Sequence, residues 1–178
     1  MAEEKKEKWV NWVALTTVVL AVCATLSTFK GGQYSTRSVM SQSQASNQWS
    51  YYQAKSIKGY IYEGQKEVLE ADLKKLGESL APELKQSFQD KITAYNDKLK
   101  RYDQEKAEIS QEAKRLEGVR DAAQQHSQAF GMALIFLQIG ILLSSISALL
   151  KKKPLWLLGM AVGAAGLVFF ANGFLMLF

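Results

Sequence analysis

The sequence has few of the residues from which metal, redox and catalytic sites are built. Among its 178 residues there is one cysteine, Cys23, and one histidine, His126. A lone cysteine excludes an internal disulfide, and a zinc site would need carboxylate ligands that no spacing pattern places beside these two residues. Acidic residues in the middle of the chain alternate with lysines, as on the solvated face of a helix. We therefore expect no enzyme activity, no cofactor and no metal site.

Acidic side chains are absent from the last fifty residues, where the only charged residues are Lys151, Lys152 and Lys153. Each lysine would cost roughly 2.5–3.5 kcal/mol at the centre of a membrane helix, so all three must lie outside the hydrocarbon. They leave two apolar segments, 129–150 and 155–178, each long enough to cross about 30 Å of hydrocarbon as a helix. The sequence thus predicts a transmembrane hairpin with a lysine turn at 151–154.

A third uncharged apolar segment, 9–29, follows a short charged start at 1–8. It is longer than the roughly 7–15 apolar residues of a secretory signal peptide, and no small-residue cleavage site follows it. We therefore expect an uncleaved first transmembrane helix. Gly31 and Gly32 come directly after it, and they predict a bend at the membrane surface because glycine has low helix propensity.

The stretch between the first two apolar segments, 33–128, is polar but has helical periodicity. Gly77 and Pro82 indicate the end of one helix and the first turn of the next. The arms on either side, 33–79 and 83–127, would each be about 70 Å long as helices. The apolar pattern of the first arm includes Ile57, Ile61, Val68, Leu69 and Leu73; that of the second includes Phe88, Ile92, Tyr95, Leu99, Tyr102, Ile109 and Leu116.

These patterns predict an all-α membrane protein with three transmembrane helices. A long antiparallel coiled-coil hairpin, 33–128 with its turn near 77–82, would connect the first and second transmembrane helices.

The distribution of lysines predicts the orientation. With three membrane crossings, the N-terminal lysines and the lysine turn lie on one side, which the positive-inside rule makes cytoplasmic. The N-terminus is then cytoplasmic, and the hairpin is on the periplasmic or outer side. Much of the net charge of +5 comes from the lysine turn, so nucleic-acid binding is not indicated.

The stretch SNQWSYYQAKSIKGYIYE, residues 46–63, resembles the signature of a bacterial membrane family catalogued as domain of unknown function 4337. The tightest match covers Trp49, Tyr52, Gln53, Ala54, Lys55, Ser56, Ile57 and Lys58. The likeness extends to the layout, with one early span, a charged helical middle and two final spans. It implies a location in the bacterial inner membrane, offers no established activity and assigns no catalytic residue.

Aromatic residues in the first arm are candidates for contact with another chain. In a continuous helix, Trp49, Tyr52 and Tyr60 begin about 25 Å beyond the membrane, too far for an interfacial aromatic belt. A hairpin of two helices has little interior, which favours contact of these residues with a second copy or another protein. Packing inside the hairpin is the alternative.

Small and polar residues of the last two apolar segments are further candidates. Gly159, Gly163 and Gly166 flatten one face of the final helix for close approach of another helix, either within the protomer or between protomers. The amides Gln138 and Asn172 are expected to bond to a neighbouring helix, the alternative being that they line a conduction path.

The sequence therefore favours a non-enzymatic, homo-oligomeric membrane scaffold with the lipid bilayer and further copies as partners. The alternatives are an oligomeric channel with a Ser/Gln-lined lumen and an accessory subunit that binds another membrane protein. No Asp, Glu, Lys or Arg lies inside an apolar segment, so the ion-coupling site of an active transporter is not indicated.

Overall fold

The structure, a computed structural model, describes residues 8–77 and 79–178. It contains three helices, α1 (Lys8–Leu76), α2 (Pro82–Leu150) and α3 (Lys153–Leu175). No strand occurs within the described ranges, which confirms the all-helical class. The predicted charged segment, apart from its last residue, lies outside the described residues.

Each helix contains a stretch that is long and apolar enough to cross a membrane. The most apolar 18 residues have a mean hydropathy of 1.9 in α1, 2.3 in α2 and 1.9 in α3. Only 22%, 28% and 17% of these stretches are buried inside the protein. Burial of apolar surface is favourable by about 25 cal/mol per Å², so these exposed helix faces are compatible with a lipid environment.

The chain divides into two compact units. The apolar unit contains residues 1–40 and 119–178, and the arm unit contains residues 41–118. The core of the apolar unit is formed by Leu20, Ala24, Ala133 and Leu137, with the free thiol of Cys23 partly buried beside them. In both units the two long helices, α1 and α2, pack together.

Small side chains bring the two helices close in the arm unit. Ala45 of α1 is 1% exposed and Ala113 of α2 is fully buried. Larger buried side chains on α2 are Tyr102, Ile109 and Leu116. These buried residues form the interior of the arm unit, where α1 packs on α2.

Helix α1 continues without interruption through Gly31 and Gly32, where the sequence predicted a bend. A β carbon on Gly31 would lie 3.2 Å from Cβ of Phe130. The hydroxyl of Ser127 also donates to the carbonyl of Gly31 at 3.1 Å. Gly31 therefore permits close approach of α1 and α2, and the helix does not break there.

The segment between α1 and α2 is short and hydrogen-bonded. A β carbon on Gly77 would meet the carbonyl oxygen of Leu73, so any larger residue would displace the backbone. Pro82 begins α2, at a position where the amide proton that proline lacks has no helical partner. The amides of Leu84 and Lys85 donate to the carbonyl of Ala81 at 3.0 and 3.1 Å.

Candidate functional site

The arm unit contains polar and aromatic contacts between α1 and α2, and it includes the signature residues. The indole Nε1 of Trp49 donates to a carboxylate oxygen of Glu117 at 2.8 Å. The ring of Tyr52 packs edge-on against Trp49, with 5.7 Å between ring centroids. Both aromatic side chains are half-buried. The bond to Glu117 joins Trp49 to α2 of the same chain, so this indole packs between the two helices of the arm unit.

Lys55, the lysine of the signature, forms an ion pair with Glu105 of α2. The two charged atoms are 2.5 Å apart, and the side chain of Lys55 is only 14% exposed. The ammonium group also lies 4.9 Å from the ring centroid of Tyr102, within range of a cation–π interaction. Lys55 is thus bound by a carboxylate and an aromatic face, both of which α2 supplies.

The ion pair changes the proton affinity of both partners. The hydrogen bond to Glu105, reinforced by its negative charge, raises the pKa of Lys55 above its ordinary value. The hydrogen bond from Lys55, together with its positive charge, lowers the pKa of Glu105. Both groups are therefore charged at neutral pH, as a structural bridge requires, and neither is tuned toward the neutral range as a general acid or base would be.

Three tyrosines lie together farther along the arms. The ring of Tyr62 is 5.5 Å from that of Tyr95 and 5.9 Å from that of Tyr102. The ammonium group of Lys98 lies 4.5 Å from the centroid of Tyr62. This arrangement supplies apolar contact area between the helices and leaves the lysine charge in water.

The opposite face of α1 carries large apolar side chains that the described residues leave mostly exposed. Ile57, Tyr60, Ile61 and Val68 are 59%, 70%, 53% and 60% exposed. With Gly64 they recur at steps of three and four residues and so share one helix face. We call these five residues the exposed stripe. The sequence predicted that Ile57, Ile61 and Val68 lie in a helix, as they do in α1, but not which face of that helix packs on α2. In the structure Lys55, Gly59 and Tyr62 occupy the less exposed face.

A shallow groove runs along the edge of the exposed stripe. Its lining combines stripe residues with side chains of both helices, namely Tyr60, Ile61, Gly64, Gln65, Val68, Leu69, Lys91 and Tyr95. Of the three aromatic residues that the sequence selected for contact with another chain, Tyr60 lies here, and Trp49 and Tyr52 are half-buried.

The glycine face of α3 contacts helices of the same chain. A β carbon on Gly159 would lie 3.1 Å from the carbonyl oxygen of Gly140, and one on Gly166 would lie 2.8 Å from the Leu137 side chain. Gly163 faces Leu20 of α1, with 2.9 Å to Cδ1. The glycine face thus packs against α1 and α2 of its own chain, which is one of the two alternatives that the sequence left open.

The two amides of the last apolar segments are placed differently. Gln138 is exposed on α2. Asn172 is 4% exposed and caps its own helix: its side-chain oxygen accepts from the amide of Leu177 at 2.7 Å, and its Nδ2 donates to the carbonyl of Phe178 at 2.8 Å. The bond to a neighbouring helix that the sequence predicted for Asn172 is thus replaced by a bond to the end of the chain.

Sequence reasoning did not predict the role of His126. Its Nδ1 lies 2.8 Å from the carbonyl oxygen of Gly173, near the end of α3. Because a carbonyl only accepts, Nδ1 carries the proton in this contact. The ring of Tyr34 stacks on the imidazole at 4.4 Å. This histidine of α2 therefore contacts both α1 and α3.

No group of three or more potential metal ligands occurs in the described residues.

The fold and these contacts define an all-helical protein with three helices that are apolar enough to cross a membrane and a polar pair of helical arms. The chain belongs to the family described as Domain of unknown function (DUF4337), whose model matches residues 9–176. No curated protein and no solved structure matches the chain.

Proposed function

We propose that this protein is a non-enzymatic, multi-pass membrane protein that assembles with further copies of itself into a scaffold. The observation that carries the proposal is the exposed stripe, a row of large apolar side chains on α1 that are more than half exposed among the described residues. The stripe lies in the arm unit and not in the apolar unit, so we do not expect lipid to contact it.

The membrane part of the proposal has three crossings, at 9–29, 129–150 and 155–178. The apolar stretches of α1, α2 and α3 support it by their length and hydropathy. Lys151, Lys152 and Lys153 form the turn between the last two crossings, and all three are exposed. With the positive-inside rule, the N-terminus and this turn are cytoplasmic, and the arms stand on the outer side of the cell membrane.

The arms form an antiparallel helical hairpin in this proposal, 33–128 with its turn at 77–82. The pairs Trp49–Glu117, Lys55–Glu105 and Tyr62–Tyr95 support the antiparallel direction, because the partner's number falls as the number on α1 rises. Such a hairpin uses the inner face of α1 for its own seam. The outer face is left for contact with another molecule.

A second copy of the chain is the occupant that fits the exposed stripe. Copies inserted in one membrane with the same topology present the same face at the same height, so a two-fold axis along the membrane normal brings each stripe against its counterpart. Gly64 lies in the middle of the stripe. Apart from its chain neighbours and the adjacent backbone of its own helix, no atom of the described residues lies within 4 Å of the position of a β carbon, so a partner backbone can approach there. An apolar seam of this kind is the basis of helix pairing in water.

The first test is the mass of the purified protein in a mild detergent or nanodisc, after subtraction of the detergent or lipid. We expect a multiple of the 19.9 kDa protomer mass. The double variant Ile61→Gln/Val68→Gln should lower this mass. The matched control is Leu76→Gln/Leu84→Gln, because these leucines are also exposed in the arms, at 45% and 44%, but lie off the stripe.

A wild-type monomer would contradict the scaffold. An assembly that both double variants leave unchanged would contradict the role of the stripe. The alternatives predict other results: a channel makes reconstituted liposomes leaky to ions, and an accessory subunit is recovered with a stoichiometric amount of a different protein.

A further inference from the structure

The lysine turn, Lys151–Lys153, is the most strongly charged surface of the apolar unit. It lies between the end of α2 and the start of α3, and all three side chains are exposed. The sequence contains no Asp or Glu from Lys8 to Tyr62 or from Ala122 to Phe178. Residues 1–7 add three glutamates and two lysines, so the cytoplasmic residues of the proposed topology keep a net positive charge.

The turn has a defined backbone conformation. The hydroxyl of Ser147, a fully buried residue, donates to the carbonyl of Lys152 at 2.9 Å, and the amide of Lys152 donates to the Ser147 carbonyl at 3.2 Å. Lys151 is in the left-handed region, with φ of 52°. Lys152 is extended, with φ of −109° and ψ of 101°. The backbone thus changes from left-handed to extended to helical over three residues, and the buried Ser147 holds this turn at the end of α2.

Two tryptophans, Trp9 and Trp156, lie beside the lysine turn. The rings of Trp9 and Trp156 are 6.4 Å apart, and Nε1 of Trp156 donates to the hydroxyl of Thr16 at 3.2 Å. The ammonium group of Lys153 lies 5.9 Å from the centroid of Trp9. The start of α1 is thereby joined to the start of α3, and a cation is positioned where indole rings meet the end of the apolar helices.

We propose that the lysine turn and the two tryptophans bind the phosphate group of an anionic phospholipid. The phosphodiester oxygens accept hydrogen bonds from the lysine ammonium groups, which act as compact point charges. The indole rings pack beside the glycerol and upper acyl region, as tryptophans do at the membrane interface. A lipid is favoured over a free phosphate because the site lies at the end of three apolar helices, at the level of the headgroup layer. The inference rests on the membrane insertion proposed above.

The test uses the full-length protein in a nonionic detergent and titrates it with phosphatidylglycerol or with phosphatidylcholine of the same acyl chains. Native mass spectrometry counts the bound lipids. We expect phosphatidylglycerol to bind more tightly, and the variant Lys151→Gln/Lys152→Gln/Lys153→Gln to weaken this binding by about fivefold for each lysine removed. Substitution of the same lysines by arginine should retain the preference, since the charge is kept.

The matched control is Lys74→Gln/Lys85→Gln/Lys100→Gln, which removes the same charge from exposed positions in the arms. It should bind phosphatidylglycerol as the wild type does. Equal binding of the two lipids, equal binding by the lysine-turn variant, or an equal loss in the control would each overturn the proposal. Glycerol phosphate distinguishes the source of the phosphate: if it competes at the concentration of the lipid, the site binds free phosphate and the lipid proposal is wrong.

Extraction of cell membranes with alkaline carbonate tests membrane insertion separately from the phospholipid site. Protein that stays in the membrane but shows no lipid preference contradicts only the lipid site. Protein that carbonate releases contradicts membrane insertion, and the lipid site is overturned with it. A monomer in the mass measurement would contradict the scaffold but would leave the lipid preference and the carbonate extraction as tests of the lipid site and of membrane insertion.

Discussion

Gly140 of α2 and Gly163 of α3 bring two helix backbones into direct contact. A β carbon on Gly140 would lie 3.0 Å from Cα of Gly163 and 3.0 Å from the carbonyl oxygen of Gly159. Real β carbons rarely lie this close to another atom, and a backbone atom cannot rotate away as a side chain can. The contact therefore depends on the absence of a side chain at Gly140.

The variant Gly140→Ala should be less stable than the wild type by about 1–3 kcal/mol, since the added methyl group overpacks a backbone contact. Thermal unfolding of the protein in detergent measures the difference. Gly131→Ala is the control, because nothing lies within 4 Å of a β carbon there, and that change should leave stability equal or raise it by up to about 1 kcal/mol. Equal stability of the two variants would show that the helices are not in contact at Gly140.

Gly163→Leu should disrupt the packing of α3 against α1. The β carbon alone would lie 2.9 Å from Cδ1 of Leu20, and a leucine side chain would need the space that Leu20 occupies. We expect a loss of about 1–3 kcal/mol in the stability of the protomer. Thermal unfolding is measured together with particle mass. A lower mass with unchanged thermal stability would instead place this glycine between protomers.

The Lys55–Glu105 pair predicts a dependence of arm stability on pH. The folded-state pKa of Glu105 is below its ordinary value of 4.5, so the stabilisation from this carboxylate is complete above that value and is lost as the pH falls through the lowered pKa. The folded-state pKa of Lys55 is above 10.5, so its contribution is complete below that value and is lost as the pH rises through the raised pKa. The pair is therefore fully formed at neutral pH.

Hydrogen exchange of the amides of residues 50–60 checks this dependence. In the variant Glu105→Gln, protection of these amides at neutral pH should be lower than in the wild type. The further loss of protection on going to acidic pH should be smaller, because the carboxylate that would be protonated is absent. Glu112→Gln is the control, since Glu112 pairs with Arg115 of its own helix and its pKa is also lowered. If both variants change the protection of α1 equally, the ion pair between the helices has no specific role.

Trp49→Phe should weaken the attachment of the first arm to α2. Phenylalanine retains an aromatic ring beside Tyr52 but loses the donor to Glu117, at a cost of about 1 kcal/mol. Chemical unfolding of the arms, followed by circular dichroism, measures the loss. Trp12→Phe is the control because Trp12 is 59% exposed in the apolar unit, and its unfolding curve should match that of the wild type.

The orientation is tested with single cysteines at Ser87 and Lys152 in a Cys23→Ser background. Both positions are exposed, so a membrane-impermeant thiol reagent can reach whichever lies outside. We expect labelling of position 87 on intact cells, and labelling of position 152 only after the membrane is opened. The reverse pattern would place the arms in the cytoplasm.

Much of the fold class could be predicted from the sequence, because it depends on composition and local periodicity. Long apolar segments and helical spacing predicted helices. The structure contains three helices that are long and apolar enough to cross a membrane. The signature residues resembled those of the family, and the family model matches residues 9–176. Contact roles were harder to predict, as Gly159, Gly163 and Gly166 fit packing within a chain and between chains equally well.

The sequence by itself determined that this protein is helical, where its apolar stretches lie and where its charges interrupt them, since each depends on the residues of one segment. Only the tertiary structure decided which face of α1 meets α2. Apolar residues at steps of three and four occur on two faces, and their spacing alone does not choose between them. The choice depends on α2: Glu105 and Glu117 bind Lys55 and Trp49, and the small Ala113 admits close approach. The exposed stripe then lies on the opposite face.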